Sequence, residues 1–311
     1  MSSGRGLERE LVPVPATSRR NIHLIANPSA GRGKASRVAR RLIRALGQRG
    51  VRFQQHTTRG RGHAEELAHQ AVEQGADVVL VCGGDGTLHE AAQALAHSPT
   101  ALAPLPAGRC NDFCRSLGPG LGPEQVAQAM QSGQSRVLDL ARVNGRVYCT
   151  VGAVGFDAEV TRYVDQMRSP LWGKPAYIYA VLRVLSRYDF PEVRLTWDEG
   201  EYQGPILMAA VANTPTYGNA IRIAPEARAD DGLLDVCLVR PAGFFRVVGL
   251  LPTVLKGQHA GLPEVSFLRT RRVSIESSRP VPMWADGEPV TNSPLCVQIE
   301  PGALRMLLPA G

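Results

Sequence analysis

The sequence predicts an α/β domain followed by a β-rich domain. Three observations carry that expectation. Short apolar runs alternate with helical patterns from Asn21 to Leu105, strand-like runs dominate after Ser135, and glycine-containing polar loops follow three strand runs in the first part. Strands alternating with helices imply a parallel sheet covered on both faces. Ligands of such sheets bind beyond the carboxyl ends of the strands, so the loops there should carry the chemistry.

Taken in order, the first twenty residues are polar, contain Pro13 and Pro15, and lack the apolar core of a signal peptide. Residues 1–20 are therefore expected to be a flexible leader. Ile22 to Ala26 reads as a buried strand. Ala35, Val38, Leu42, Ile43 and Leu46 then recur at helical spacing, with Arg37, Arg40, Arg41 and Arg44 on other faces. Val51 to His56 predicts a strand and His63 to Gln74 a helix, which Gly75 is placed to end. Asp77 to Cys82 is a β-branched run, Leu88 to His97 a helix, and Ala101 to Leu105 a further strand. The first domain is expected over residues 21–136.

From Ser135 the runs Val137–Val143, Arg146–Val151, Ile206–Ala212, Leu234–Val239, Arg272–Glu276 and Cys296–Glu300 read as strands. Asn144-Gly145 between the first two is a strong hairpin signal. Two helical patterns interrupt them, Lys174–Arg187 and Phe244–Lys256. This second domain is expected over 137–300, with 301–311 returning to the first.

A chain of 311 residues with 44% apolar and 20% charged residues is long enough for two domains with their own cores. Its net charge of +7 suits an anionic partner. No nucleic-acid-binding motif accompanies that charge, so no nucleic acid is expected. The six cysteines have no paired framework or zinc spacing and read as reduced thiols. No apolar stretch is long enough to span a bilayer, and the expectation is a cytoplasmic protein touching membrane only peripherally.

Three loops stand out. Val78-Val79-Leu80-Val81-Cys82 runs into Gly83-Gly84-Asp85-Gly86-Thr87, and a helical pattern follows. A glycine-rich turn there lets backbone N–H groups approach an anion, with the helix N-terminus adding a favourable dipole. Asp85 would oppose a phosphate unless a cation lay between, which hints at Mg²⁺. The plainer reading is a polar strand-to-helix turn. Asn27 to Lys34 also joins a strand to a helix, but it is neither a Walker A loop nor a dinucleotide fingerprint. Leu105 to Arg115 again pairs glycine with Asn and Asp. Agreement among three loops at one sheet edge outweighs any one of them.

Asn27-Pro28-x-x-Gly31, Gly83-Gly84-Asp85-Gly86-Thr87 and Gly108-x-x-Asn111-Asp112-Phe113 occur in order. Asp139-Leu140, Asp231-Gly232-Leu233-Leu234-Asp235 and Asp286-Gly287-Glu288 follow. In this order and spacing the chain resembles the diacylglycerol kinase and sphingosine kinase catalytic family over about residues 20–308.

The resemblance implies a phosphofructokinase-like α/β domain, a β-sandwich-like lipid domain and a nucleotide site in the cleft between them. It places ATP against Asn27, Pro28, Ser29, Ala30 and Gly31, Thr58, the run Gly83, Gly84, Asp85, Gly86, Thr87, Leu88 and His89, and Asn111. It gives Asp85, Asp112 and Asp139 to Mg²⁺, partly through water. A second metal position falls at Asp231 with the carbonyls of Arg228 and Leu233. Asp286 or Glu288 matches the proposed base, although Ala285 to Pro289 also reads as a β-turn. Phosphoryl transfer needs in-line positioning, charge neutralisation and a proton acceptor, and these residues can supply them.

The implied reaction is transfer of the ATP γ-phosphate to a hydroxyl of a membrane lipid, with diacylglycerol giving phosphatidic acid as the leading expectation. An NAD kinase-like phosphotransferase and a non-catalytic lipid- or nucleotide-binding protein are the alternatives, and a homodimer is admitted. The chain departs from the family at Arg109 and Cys110, where threonine and a small residue are usual. Gly218-Asn219-Ala220-Ile221-Arg222 replaces a glycine run. For membrane contact, residues 31–62 hold ten Lys or Arg and no acid. Trp172, Tyr177, Tyr179, Leu182, Val184 and Leu185, near Lys174, Arg183 and Arg187, suit an interfacial helix or core packing.

Overall fold

A computed structural model of the chain describes residues 11–13, 20–118, 121–132, 134–167, 174–218 and 221–309. The chain divides into two compact units. The first comprises residues 1–109, 118–138 and 302–311, the second 110–117 and 139–301. Asn111 and Asp112, expected in the first domain, thus group with the second. The expected leader lies largely outside the described residues, but Leu11–Pro13 pairs antiparallel with Gln134–Arg136.

In the first unit the strands Gln54–Thr57, Ile22–Ala26, Val78–Gly83 and Ala101–Pro106 form a parallel sheet in that order. Met306 of the last strand pairs in parallel with Leu102. The three central strands are buried on both faces, which explains their near-continuous apolar sequence. Alternate residues divide between the faces. Leu24, Leu80 and Ala103 pack with Ala39 and Leu42 of helix Lys34–Gln48 and with Val126 and Met130 of helix Pro123–Ser132. Helices His63–Glu73 and Asp85–Leu95 pack on each other and on these strands.

The sheet departs from expectation at two ends. The edge strand begins at Gln54, after buried Val51, and the third helix begins at Asp85, not Leu88. The glycine-rich run is already its first turn, which a reading of apolar periodicity passes over because the first apolar residue is Leu88.

The second unit is a sandwich with a helical layer on one side. Its six-stranded antiparallel sheet runs Val265–Thr270, Leu234–Val239, Met208–Ala212, Val151–Gly155, Pro282–Ala285, Glu288–Asn292. A second set places Gly200–Pro205, Glu192–Trp197, Arg272–Ser277 and Leu295 onward side by side. Period-two alternation sorts the core. Ala209 and Val211 face Leu195, Ile275 and Val297 between the sheets. Met208, Ala210 and Ala212 face Val160 of helix Phe156–Gln166, Val181 of helix Lys174–Leu185 and Val247 of helix Phe244–Leu255.

The hairpin at Asn144-Gly145 is present, with φ of 44° and 94°, the left-handed pair that a two-residue turn requires. The run Arg146–Val151, expected as one strand, is two: Arg146–Tyr148 and Val151–Gly155. The break falls at Cys149 and Thr150, whose backbone N–H groups bond a carboxylate instead of a strand.

All six cysteines are free, and burial pushes the Cys82 and Cys237 thiols up to about 12. Among the described residues no helix is long and apolar enough to cross a membrane. Trp172 and the side chains of Lys174 and Tyr177 lie outside what is described, as do Asn219 and Ala220. On helix Lys174–Leu185, Val181 and Leu185 are buried in the core while Ile178, Tyr179 and Leu182 are exposed. Its apolar residues are thus divided between the core and the surface. Arg37, Arg40, Arg41 and Arg44 are all exposed.

Candidate active site

In the first unit three strand ends bring their loops together. Asn27, just after Ile22–Ala26, bonds from its backbone N–H to the Cys82 carbonyl at 2.9 Å. Its side-chain amide donates to the Thr87 hydroxyl at 2.9 Å and its Oδ1 accepts from Ser29 N–H at 3.0 Å. Pro28, Ser29 and Ala30 are held in that turn. Gly31, at φ 59°, passes so close to the next loop that a Cβ there would sit 2.1 Å from the Ala107 carbonyl oxygen. A Cβ on Gly83 would lie 2.5 Å from that of Thr87, and one on Gly84 would lie 3.1 Å from Gly108 Cα. Thr58 N–H bonds the Ala26 carbonyl at 2.9 Å. The glycines thus permit close packing of backbones at the N-terminus of helix Asp85–Leu95, a placement suited to an anion. Gly86 lies in its first turn, and Leu88 and His89 are buried behind it. Arg109 is exposed and fills no interior pocket.

In the second unit, Asn111 adopts the left-handed conformation and opens the short helix Asp112–Ser116, where Asp112 is buried. Buried Asp139 organises the loop Arg228–Leu233. Its N–H bonds the Ala229 carbonyl at 2.7 Å, and its Oδ2 accepts from Gly232 N–H at 2.7 Å. Asp231 accepts from Leu233 N–H through Oδ1 and is ion-paired through Oδ2 with Arg269.

Asp286 and Gly287 form the turn between Pro282–Ala285 and Glu288–Asn292, both with positive φ. Its Oδ2 accepts from Cys149 N–H at 2.7 Å; Oδ1 accepts from Thr150 N–H at 2.8 Å and the Thr150 hydroxyl at 2.5 Å. Beneath it, burial and then the charge of Asp286 push the Tyr148 phenol well above its ordinary range, and its hydroxyl donates to Val211 O. Glu288, paired with Ala285, begins the next strand.

Carboxylates such as Asp112 and Asp139 are the hard oxygen donors that Mg²⁺ takes. Among the described residues, however, no three His, Cys, Asp or Glu side chains gather to enclose a cation. The donor set fits an ion completed by water and phosphate oxygens, and does not fit a cage of protein ligands. At Asp231 the fit is poorer, because the Arg269 guanidinium already faces Oδ2.

Residues 21–143 match the family model for the diacylglycerol kinase catalytic domain. Residues 150–308 match that for the YegS C-terminal NAD kinase beta sandwich-like domain. A diacylglycerol kinase from Mycobacterium tuberculosis (strain ATCC 25618 / H37Rv) is 34% identical over 316 residues, covering 99% of each chain. The chain belongs to the bacterial diacylglycerol kinase and YegS lipid kinase family.

A Pseudomonas aeruginosa protein described as "Probable lipid kinase YegS-like" is 33% identical, over 80% of this chain and 82% of its own length. A crystal structure from Bacillus anthracis str. Sterne has the same fold. Its TM-score is 0.77 at 22% identity, covering 93% of this chain and 97% of that one. As a member of this family the chain is an ATP-dependent lipid kinase, a phosphotransferase.

For this lipid kinase, sequence reasoning passed over four residues that hold the acidic groups: Cys149, Thr150, Asn213 and Arg269. One signal was available. Asn213 is a polar residue directly after the wholly buried strand Met208–Ala212, and it is itself fully buried. Buried polar groups are kept for their hydrogen bonds.

Proposed function

We propose that this lipid kinase phosphorylates diacylglycerol to phosphatidic acid, using ATP with Mg²⁺ and Asp286 as proton acceptor. The observation that carries the assignment of Asp286 is its anchoring by three donors from Cys149 and Thr150, which sets its carboxylate in one orientation. A base must be aimed before it can help, and geometry precedes basicity in choosing one. Diacylglycerol as acceptor is favoured by the 34% identical relative that bears that name and is covered almost end to end.

The lipid hydroxyl oxygen bonds to the γ-phosphorus as the bond from that phosphorus to the β–γ bridging oxygen breaks. ADP leaves with that electron pair, and the hydroxyl proton passes to the Asp286 carboxylate. Asn27 to Gly31, Thr58 and Gly83 to His89 hold the nucleotide, with backbone N–H groups near its phosphates. Asp85, Asp112 and Asp139 would hold Mg²⁺, which when bound neutralises charge on the phosphates. Glu288 is the neighbouring acid and takes no proton in this scheme. The exposed arginines of helix Lys34–Gln48 and the exposed apolar residues of helix Lys174–Leu185 favour peripheral contact with an anionic membrane from the cytoplasmic side.

The test is transfer of labelled γ-phosphate to micellar diacylglycerol, a sphingoid base and ceramide, with NAD as soluble control. Labelled phosphatidic acid is expected, with loss of about 10²–10⁴-fold in Asp286→Asn. Label on another lipid alone would overturn the acceptor, and label on NAD alone the lipid chemistry.

A further inference from the structure

The two acidic anchors of the second unit, Asp139 and Asp286, lie on separate segments 147 residues apart in the chain. One side chain bridges the backbones that hold them. The Asn213 amide nitrogen donates one hydrogen to the Asp139 carbonyl and the other to the Cys149 carbonyl, both at 2.9 Å. Its own backbone N–H bonds the Thr150 carbonyl at 2.8 Å. Cys149 and Thr150 are the residues whose N–H groups grip Asp286, and Asp139 is the residue whose carboxylate grips Gly232. Asp139 therefore bonds Asn213 through its own carbonyl, and Asp286 is one peptide unit away from such a bond.

The chemistry selects an amide at this position. Two donors meet two carbonyl oxygens, while the buried Oδ1 accepts nothing among the described residues. An aspartate would set acceptor oxygens against acceptor carbonyls, and an apolar residue would leave both carbonyls unmet. The position is filled for its donors.

We propose that Asn213 is a positioning residue of the kinase reaction, fixing the proton acceptor Asp286 and the carboxylate Asp139 relative to one another. The inference rests on the roles given to those two acids above. Displacing Asn213 loosens Cys149 and Thr150, so the donors on Asp286 are held less firmly. Donors to a carboxylate favour its charged form.

The test uses the full chain as wild type, Asn213→Ala and Asp286→Asn, with thermal midpoint, ATP affinity by calorimetry, and kcat, KM and kcat–pH profiles on micellar diacylglycerol. The expected Asn213→Ala protein binds ATP within about threefold of wild type, while kcat falls about tenfold or more and the acid limb of kcat moves to higher pH. A folded Asn213→Ala protein with wild-type kcat and pH profile would overturn the proposal, as would a loss of kcat that merely tracks the folded fraction. Should that variant not fold, Asn213→Ser keeps one donor and is held to the same criteria. Asp286→Asn separates the two levels. If it stays active, the role of Asp286 falls and this proposal with it; if it is inactive beside a wild-type-like Asn213 variant, this proposal alone falls.

Discussion

The side-chain amide of Asn27 donates to the hydroxyl of Thr87 at 2.9 Å, tying the loop after the first parallel strand to the first turn of the helix after the third. Sixty residues separate them, and the bond holds the proposed phosphate-binding backbone in register. A single neutral hydrogen bond contributes about 0.5–1.5 kcal/mol to stability. Thr87→Val should cost about that in urea unfolding, Asn27→Ala somewhat more because it also gives up the bond from Ser29 N–H, and each should raise KM for ATP. The double variant should cost less than the sum, because both remove one bond. Additive losses would show that the bond does not couple the loops.

Gly31 allows a sharper prediction. Its φ of 59° alone costs a residue with a side chain about 1–2 kcal/mol. A Cβ there would also lie 2.1 Å from the Ala107 carbonyl oxygen, and forcing backbones apart adds about 1–3 kcal/mol. Gly33 has φ 85° but open space around it, so it isolates the first cost. Gly31→Ala should lower the thermal midpoint well beyond Gly33→Ala and weaken ATP binding. Equal midpoints would refute the close approach of the two loops.

Much of the first unit was legible because its signals are local. Strands buried on both faces are continuous apolar runs, and their helices repeat at helical spacing. The second unit hid more. Glu192–Trp197 alternates buried and exposed residues and Gly200–Pro205 half-buried and exposed ones, with charges on the outer face, so no apolar run marks them. Helix Phe156–Gln166 follows directly on a strand and reads as polar. The site divides in the same way. Asp286 carries its motif with it, whereas the grip of Thr150 on it is legible only once the chain has brought the two together across 136 residues. Arg269 meets Asp235 because antiparallel register sets them opposite, and register is a property of two segments.

His23 gives a prediction in pH. It is buried, with Nδ1 3.1 Å from His56 Nε2 and the rings stacked 6° from parallel. Burial, and then the neighbouring His56, hold its pKa below the ordinary 6.5. As pH falls below about 6.5 the unfolded chain takes up a proton that the folded chain resists, so stability is full above that value and declines beneath it. The decline from one such group is at most about 1.4 kcal/mol per pH unit. His23→Phe keeps an aromatic ring against His56 and removes the titration. Urea unfolding from pH 8 to pH 5 should show a shallower loss in the variant. Parallel curves would mean that other groups set the acid sensitivity.

Arg269 bears on the second metal position that the family resemblance implies at Asp231. Its guanidinium pairs with Asp231 and lies 3.5 Å from Asp235, two carboxylates that are largely buried. Burial pushes the Asp235 pKa up, Arg269 pulls it down, and Asp231 pushes it up again. The arginine therefore supplies the positive charge that a cation would otherwise bring. Removing one partner of a well-buried pair costs about 3–5 kcal/mol. Arg269 is nearly half exposed, so solvent screening lowers the expectation to about 1–2 kcal/mol. Arg269→Met should lose that much at neutral pH, and millimolar Mg²⁺ or Ca²⁺ should restore part of it, since the two carboxylates then lack a counter-charge. The wild-type midpoint in scanning fluorimetry should change little between EDTA and Mg²⁺ without nucleotide. A wild-type rise with Mg²⁺ as large as the variant's would place a metal at Asp231 alongside the arginine and defeat the substitution of one for the other.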